Sequence, residues 1–316
     1  MRRVVTWSPS VTLVPTRGCF NVCGYCSFRL PLAQATPLET PQARAELARR
    51  PAATEVLLLS GEVAPASSER ASWFARLLAL SRLALAEQRL PHTNAGPLSR
   101  REMAALARLN PSMGLMLEGL GAAYDALHSR APSKRLDVRL AQLEQAGRLG
   151  VPFTTGLLLG VGETWDQRRD ALRLLADMQR RRGHLQEVIL QPWRPGGASA
   201  RPLSPPEQAD LLEVISLARR ELPPEIHLQT PPNLWPWEAL PAALEAGIDD
   251  LGGIDAVDVI NPAYPQPLPE RLAQALERTG WQLRPRTCVH RGWWPWLPSA
   301  LRAPVEAVAR RLDASC

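Results

Sequence analysis

Short apolar runs alternate along this chain with longer stretches in which apolar residues recur three and four positions apart. The short runs are VTLVP (11–15), EVLLLS (55–60), MGLML (113–117), FTTGLLL (153–159), EVILQ (187–191) and IHLQT (226–230). Their length and their leucine and β-branched content predict buried strands. Between them, WFARLLALSRLALAEQ (73–88), RLAQLEQAGRLG (139–150) and DQRRDALRLLADMQRRRG (166–183) carry the helical period. Gly150 and Gly183 stand where C-terminal helix caps belong. About six strand–helix units in succession predict an α/β protein with a parallel sheet and right-handed crossovers. Open or closed, such a sheet places its ligands at the C-terminal ends of its strands. That directs attention to the residues after 15, at 60–62, at 118, at 160–163 and at 191. No repeat or linker divides the chain. One domain over 1–316 is expected, with its core at about 8–265 and a Pro- and Trp-rich extension (266–316) wrapped round the outside.

Composition narrows the class. Hydrophobic residues make up 45% and charged residues 22%, an ordinary globular balance. There is no apolar run of transmembrane length and no signal-peptide pattern, so a cytoplasmic protein with reduced thiols is expected. The net charge is +6. Nearly all the positive charge is arginine, Lys134 being the single lysine. The arginines are scattered over amphipathic stretches without a dense basic block, which argues against nucleic acid as a partner.

Three of the five cysteines crowd into TRGCFNVCGYCSFR (16–29), as Cys19, Cys23 and Cys26. Chance places such a C-x3-C-x2-C triad in roughly one chain in a thousand of this composition. Three readings compete. A structural zinc site wants four closed ligands, the fourth drawn from Cys288, Cys316 or a histidine. A disulfide leaves one thiol over and suits an oxidising compartment. A [4Fe-4S] cluster normally takes four thiolates, and with three it keeps one iron open. The loop follows a strand, its glycines let the backbone wrap a bulky group, and Tyr25 and Phe28 can shield it from water. These flanks favour the cluster.

The triad resembles that of the radical S-adenosylmethionine (SAM) superfamily. The resemblance implies a partial TIM barrel of about six βα units. It also implies one [4Fe-4S] cluster held by Cys19, Cys23 and Cys26, and SAM bound at the open iron and consumed as the oxidant. Other segments agree. SGE (60–62) is similar to the element that receives the SAM amino group, through Gly61 and Glu62, and Tyr25 falls near the adenine. Glu118 matches a position touching the ribose or methionine part. GLLLGVGE (156–163) is similar to the adenine-supporting stretch and brings in Gly160 and Glu163, although Glu163 can equally open the next helix. Arg139 matches a cation offered to the SAM carboxylate, with a solvated helix face as its alternative.

Within the superfamily, HSRAPSKRLDVRLAQLEQAGRLGVPFTTGLLLGVGET (128–164) resembles the CofG-type subunit of 7,8-didemethyl-8-hydroxy-5-deazariboflavin (FO) synthase. GCFNVCGYCSFR, LPHTNAGPLS, PSMGLMLE, HLQEVILQPWRPG, PPNL and AGIDDLGGI extend the likeness over about 8–265. Val259, where the family tends to carry histidine, and the stretch after 281 depart from it. The resemblance implies a radical SAM lyase that cyclises a hydroxybenzyl–ribityl-aminouracil adduct and releases ammonia. The adduct would come from a CofH-type partner subunit, and electrons from a flavodoxin or ferredoxin. It implies a dry interior lined by Leu, Val and Thr. His92, Asn94, Gln191, Arg194 and Asn233 are candidates for fixing the substrate, and His128 for proton transfer. A sister radical SAM reaction (tyrosine coupling or a menaquinone-pathway cyclisation) and a zinc-stabilised binding module are the alternatives.

Overall fold

The computed structural model describes residues 3–314 and contains nine strands and ten α-helices among them. The strands are β1 (Arg3–Leu13), β2 (Glu55–Leu59), β3 (Leu90–Asn94), β4 (Ser112–Gly114), β5 (Phe153–Leu159), β6 (Leu185–Pro192), β7 (His227–Gln229), β8 (Asp250–Ile254) and β9 (Trp281–Pro285). All pairings are parallel; β1 to β8 follow one another around a ring that the β1–β2 pairing closes. The fold is therefore a closed eight-stranded α/β barrel, larger than the expected six units. The two barrel strands beyond the sequence reading are LPHTN and DLGGI, where proline, histidine and paired glycines mask the strand pattern; β9, outside the ring, is a third.

The helices that return the chain are α1 (Thr40–Ala48), α2 (Arg70–Ala86), α3 (Arg100–Ala107), α4 (Ala122–Leu127), α5 (Leu136–Leu149), α6 (Trp165–Arg182), α7 (Pro205–Glu221), α8 (Leu240–Ala246), α9 (Pro269–Glu277) and α10 (Ser299–Asp313). Gly150 and Gly183 cap α5 and α6 in the left-handed region, at φ of 66° and 70°, where a side chain would strain the turn. None of these helices is long and apolar enough to cross a membrane.

The period-two alternation of the strands sorts the core. Val56 and Leu58 of β2, Leu157 and Leu159 of β5 and Val188 and Leu190 of β6 join the buried apolar layer with helix residues such as Leu77, Leu80, Leu172 and Leu175. The alternate positions, among them Glu55, His92, Thr154 and Glu187, line the barrel interior.

β1 is long because its outer edge serves two partners. Arg3–Trp7 pair with β9 and Ser10–Leu13 with β2. Pro9, which has no amide hydrogen to give, falls in the gap between them. Past β9 the chain runs beneath the barrel, which corrects the expectation of an outer wrap. Arg286 and Cys288 line the interior from below, and the Trp293 indole donates to the Gly183 carbonyl (2.9 Å). Cys288, Val289, Trp293, Leu297 and α10 form a second apolar cluster with Leu90 at the start of β3. The apolar content of this tail, too large for a solvated strap, is what drives it under the floor.

Candidate active site

The loop after β1 has no regular structure, yet its backbone is tied on several sides. Gly61 N donates to Thr16 O (2.7 Å), Phe20 N to Glu62 O (3.0 Å), Val22 N to Arg130 O (2.8 Å) and Gly24 N to Leu127 O (3.0 Å). Gly61 is required by close approach, because a Cβ there would lie 2.3 Å from the Gly18 carbonyl oxygen. The loop thus presents Cys19, Cys23 and Cys26, all partly exposed, to one cavity of about 200 Å³ at the C-terminal mouth of the barrel. Burial raises the Cys19 thiol and pushes Cys23 up to about 12. Asn21 points its amide toward Cys19 Sγ at 3.8 Å.

Two buried ion pairs flank the thiols. Arg139, on α5 and 1% exposed, donates to Glu62 at 2.8 Å. Glu62 also accepts from Asn21 (3.0 Å) and from Ser133. Burial alone would raise the Glu62 carboxyl, but Arg139, Lys134 and the Ser133 hydroxyl hold it below its usual range. Lys134 pairs with Glu118, whose carboxyl is likewise lowered against the pull of burial. Glu118 stands just past β4 at φ 76°, a conformation costing a non-glycine residue about 1 kcal/mol or more. Its amide donates to Gly156 O (3.0 Å) and its carbonyl accepts from Leu158 N (2.8 Å), so β5 holds the strained residue from both sides.

The sequence-predicted residues divide. Cys19, Cys23, Cys26, Tyr25, Gly61, Glu62, Glu118 and Arg139 all line the mouth cavity. The solvated-face alternative for Arg139 is excluded by its burial. Gly160, Glu163 and His128 lie outside the lining. Glu163 accepts from the amides of Gly160 and Val161 (both 2.8 Å) and pairs with Arg168 at 2.9 Å, so its carboxylate ties its own turn to α6. His128 stands behind Tyr25, 3.4 Å from its hydroxyl, and burial lowers its pKa to about 4. Asn94 and Gln191 reach the mouth cavity. Arg194 and Asn233 line a separate cavity of about 300 Å³ beside Tyr264. Sequence reasoning missed Asn21 and Ser133, the two neutral donors on Glu62; their only signal is their place inside the motif segments.

Below the mouth lies a second chamber of about 140 Å³, sharing Asn94 and Met116 with the first. It corrects the expected Leu, Val and Thr lining, since the strands turn most of their Leu and Val outward and place Glu55, His92, Thr154, Glu187 and Gln229 inside. The signal was present as polar residues standing inside strand-like runs in EVLLL, LPHTN and LQEVILQ. Arg286 rises from the tail and bridges Glu187 (2.7 Å) and Asp250 (2.6 Å). Among the described residues, Glu187, Asp250 and His290 are the only three metal-type donors within 4.8 Å of one another, and the guanidinium already joins two of them.

The description of the radical SAM superfamily matches residues 13–175. A 7,8-didemethyl-8-hydroxy-5-deazariboflavin synthase of Gloeobacter violaceus is 51% identical over 91% of this chain and 90% of its own length. One of Thermosynechococcus vestitus is 47% identical over 97% and 98%. The chain belongs to the FO synthase family of radical SAM enzymes. The fold agrees with two solved structures of low identity. The FeFe-hydrogenase maturase HydG of Carboxydothermus hydrogenoformans superposes with a TM-score of 0.72 at 17% identity over 99% of this chain and 79% of its own. Methylornithine synthase (PylB) gives 0.64 at 16% over 97% and 86%.

Membership of the FO synthase family implies a [4Fe-4S] cluster and SAM, and the donor set here fits both. A tetrahedral zinc ion, with Zn–S bonds of about 2.3 Å, would draw its sulfurs to within about 4 Å of one another. The three thiols do not meet even a 4.8 Å limit, although they face one cavity. They do not form a closed tetrahedral set, and three thiols facing one cavity suit a cluster that keeps one iron open. Among the described residues no fourth thiol stands beside them, since Cys288 lies at the barrel floor; Cys316 falls outside the described residues. Arg139 also keeps a buried Nε without a partner beside the cavity, a donor in reserve for an anionic group.

Proposed function

We propose that this FO synthase family enzyme carries out the ring-closing half of the synthesis. It converts the hydroxybenzyl–ribityl-aminouracil adduct into the deazaflavin with release of ammonia, as the CofG-type subunit. The observation that carries the reading is the mouth cavity, in which three thiols, an arginine and two carboxylates converge above a closed polar interior. Cys19, Cys23 and Cys26 would hold the cluster through their thiolates, and cluster and SAM together would supply an oxidant able to take one hydrogen atom from the adduct.

The remaining work falls to the chain's own side chains. Glu62, lowered and ionised, receives the SAM ammonium, and Arg139 turns its free Nε toward the carboxylate. Glu118 and Lys134 set the adjoining polar wall, Glu118 facing the ribose or methionine part. Tyr25, half-buried and backed by His128, closes the mouth against water beside the adenine. Gly160 and Glu163 act one step back, shaping the turn that carries Leu158 into the cavity. His128 remains neutral at physiological pH, so it serves as an acceptor and not as an acid. The triad in this chain serves one radical SAM reaction; a CofH-type radical SAM partner supplies the adduct in this reading and a flavodoxin or ferredoxin the electron.

The test is incubation of anaerobically reconstituted enzyme with synthetic adduct, SAM and reductant. Deazaflavin fluorescence together with 5′-deoxyadenosine and ammonia is the expected result. Normal 5′-deoxyadenosine release without deazaflavin would transfer the chain to a sister reaction such as tyrosine coupling. A colourless protein with one zinc per chain would overturn the radical reading altogether.

A further inference from the structure

The lower chamber contains more chemistry than the closing of a barrel requires. Glu55, at the start of β2, is 6% exposed and faces the chamber without an arginine of its own. The nearby guanidinium of Arg286 is taken up by Glu187 and Asp250. Burial raises the Glu55 carboxyl to about 7, against the Ser8 hydroxyl and Arg286, with Glu187 and Asp250 adding to the rise. Across the chamber, His92 Nδ1 lies 2.7 Å from Ser112 Oγ. Ser112 gives its single hydroxyl hydrogen to the Cys288 carbonyl (2.9 Å), so Nδ1 must be the donor in that pair. Burial, aided by Arg286, lowers His92 to about 3; the ring is neutral and Nε2 is a bare acceptor.

Two glycines leave this ground open. A Cβ on Gly114 would stand 2.9 Å from His92 Nε2, and one on Gly253 would stand 3.5 Å from Glu55 Oε1. The unspent groups are therefore a carboxyl able to donate and accept, an imidazole acceptor and the Gln229 amide. The one cation faces two carboxylates, so no positive charge is left over for an anion. That inventory suits a row of hydroxyl groups and opposes a phosphate. Glu55 lies four residues before Leu59 of the mouth cavity, about 13 Å along the strand. Whatever occupies the floor is thus the end of the substrate remote from the reacting carbon.

Resting on the proposed adduct substrate, we propose that the floor chamber binds the uncharged polyol tail and excludes the same tail ending in a phosphomonoester. Glu55 is the specificity-determining residue.

Reconstituted holoenzyme is assayed with three adducts, bearing the hydroxylated tail, the phosphorylated tail and an ethyl group. The phosphorylated adduct is expected to raise KM at least about tenfold. Glu55→Leu is expected to raise KM for the hydroxylated adduct about tenfold, kcat changing far less, with the KM of the ethyl adduct unmoved. Glu55→Gln, which still donates and accepts, should restore most of the affinity. Equilibrium dialysis of the free ribityl-aminouracil against holoenzyme should show the same order without turnover. Equal KM values for hydroxylated and phosphorylated tails in the wild type overturn the inference, whether or not Glu55→Leu folds. So does an equal KM shift for hydroxylated and ethyl adducts in Glu55→Leu. Turnover of the hydroxylated adduct confines such a failure to the tail site; 5′-deoxyadenosine without deazaflavin from every adduct removes both readings.

Discussion

The mouth and the floor of this barrel both bury charge, but in opposite styles. At the mouth the charges stand on loops, strand ends and the helix α5, one of them on a strained backbone, and Arg139 keeps a buried donor in reserve. At the floor, Glu55 of β2 apart, the charges stand inside β6 and β8 and on the tail, and Arg286 turns its donors onto Glu187, Asp250 and the Thr287 carbonyl. The ion pairs of the mouth are unfinished without a ligand. Those of the Arg286 cluster complete themselves. Buried ion pairs in one barrel therefore divide into those built to receive something and those that close the structure.

The sharpest way to test the contrast is at its extremes. Replacing any one of Cys19, Cys23 or Cys26 by alanine is expected to lower bound iron and abolish 5′-deoxyadenosine formation while the fold survives, as read by iron analysis, product assay and circular dichroism. Arg286→Met should do the reverse. It leaves Glu187 and Asp250 buried without their cation and should cost about 3–5 kcal/mol, read by urea unfolding of the holoenzyme. A smaller effect is expected from Arg139→Lys. The charge beside Glu62 is kept but the fork is lost, so KM for SAM should rise roughly tenfold, equivalent to about 1.4 kcal/mol, with little change in unfolding midpoint.

The mildest test is pH. His92, His128 and His184 are lowered to about 3, 4 and 4, chiefly by burial. The unfolded chain then binds more protons below about 6.5, and the stability these histidines contribute is lost as pH falls through about 4. Glu55 acts with the opposite sign: raised to about 7, it contributes stability that is full below its unfolded value and lost as pH rises through 7. Three groups outweigh one, so the protein should weaken on acidification from 6.5 to 4. Glu55→Gln should remove the smaller loss above neutrality, seen as a flatter melting temperature between pH 6 and 8.

Much of the mouth was legible in the sequence, and little of the floor. Cysteine spacing and short glycine–carboxylate elements carry chemistry that local order preserves, so eight of the eleven candidate site residues converge on one cavity. Glu163 and His128 show the limit. Their segments are in place, but whether a side chain faces the ligand or its own turn depends on rotamers that spacing does not encode. The floor depends on Arg286 meeting Glu187 and Asp250 across 99 and 36 residues of sequence. No periodicity reports a contact of that separation. β3 and β8 were hidden for a simpler reason, since their interior face is polar or glycine and imitates a loop.

The divided outer edge of β1 has a consequence for biosynthesis. Half of that edge waits for Trp281–Pro285, and the guanidinium that separates Glu187 from Asp250 emerges one residue later. As the chain is synthesised, β1 can close the eight-stranded ring with β2 and β8 before β9 exists, leaving only part of its outer edge unpaired. The floor, and not the ring, is the last part of the barrel to be completed.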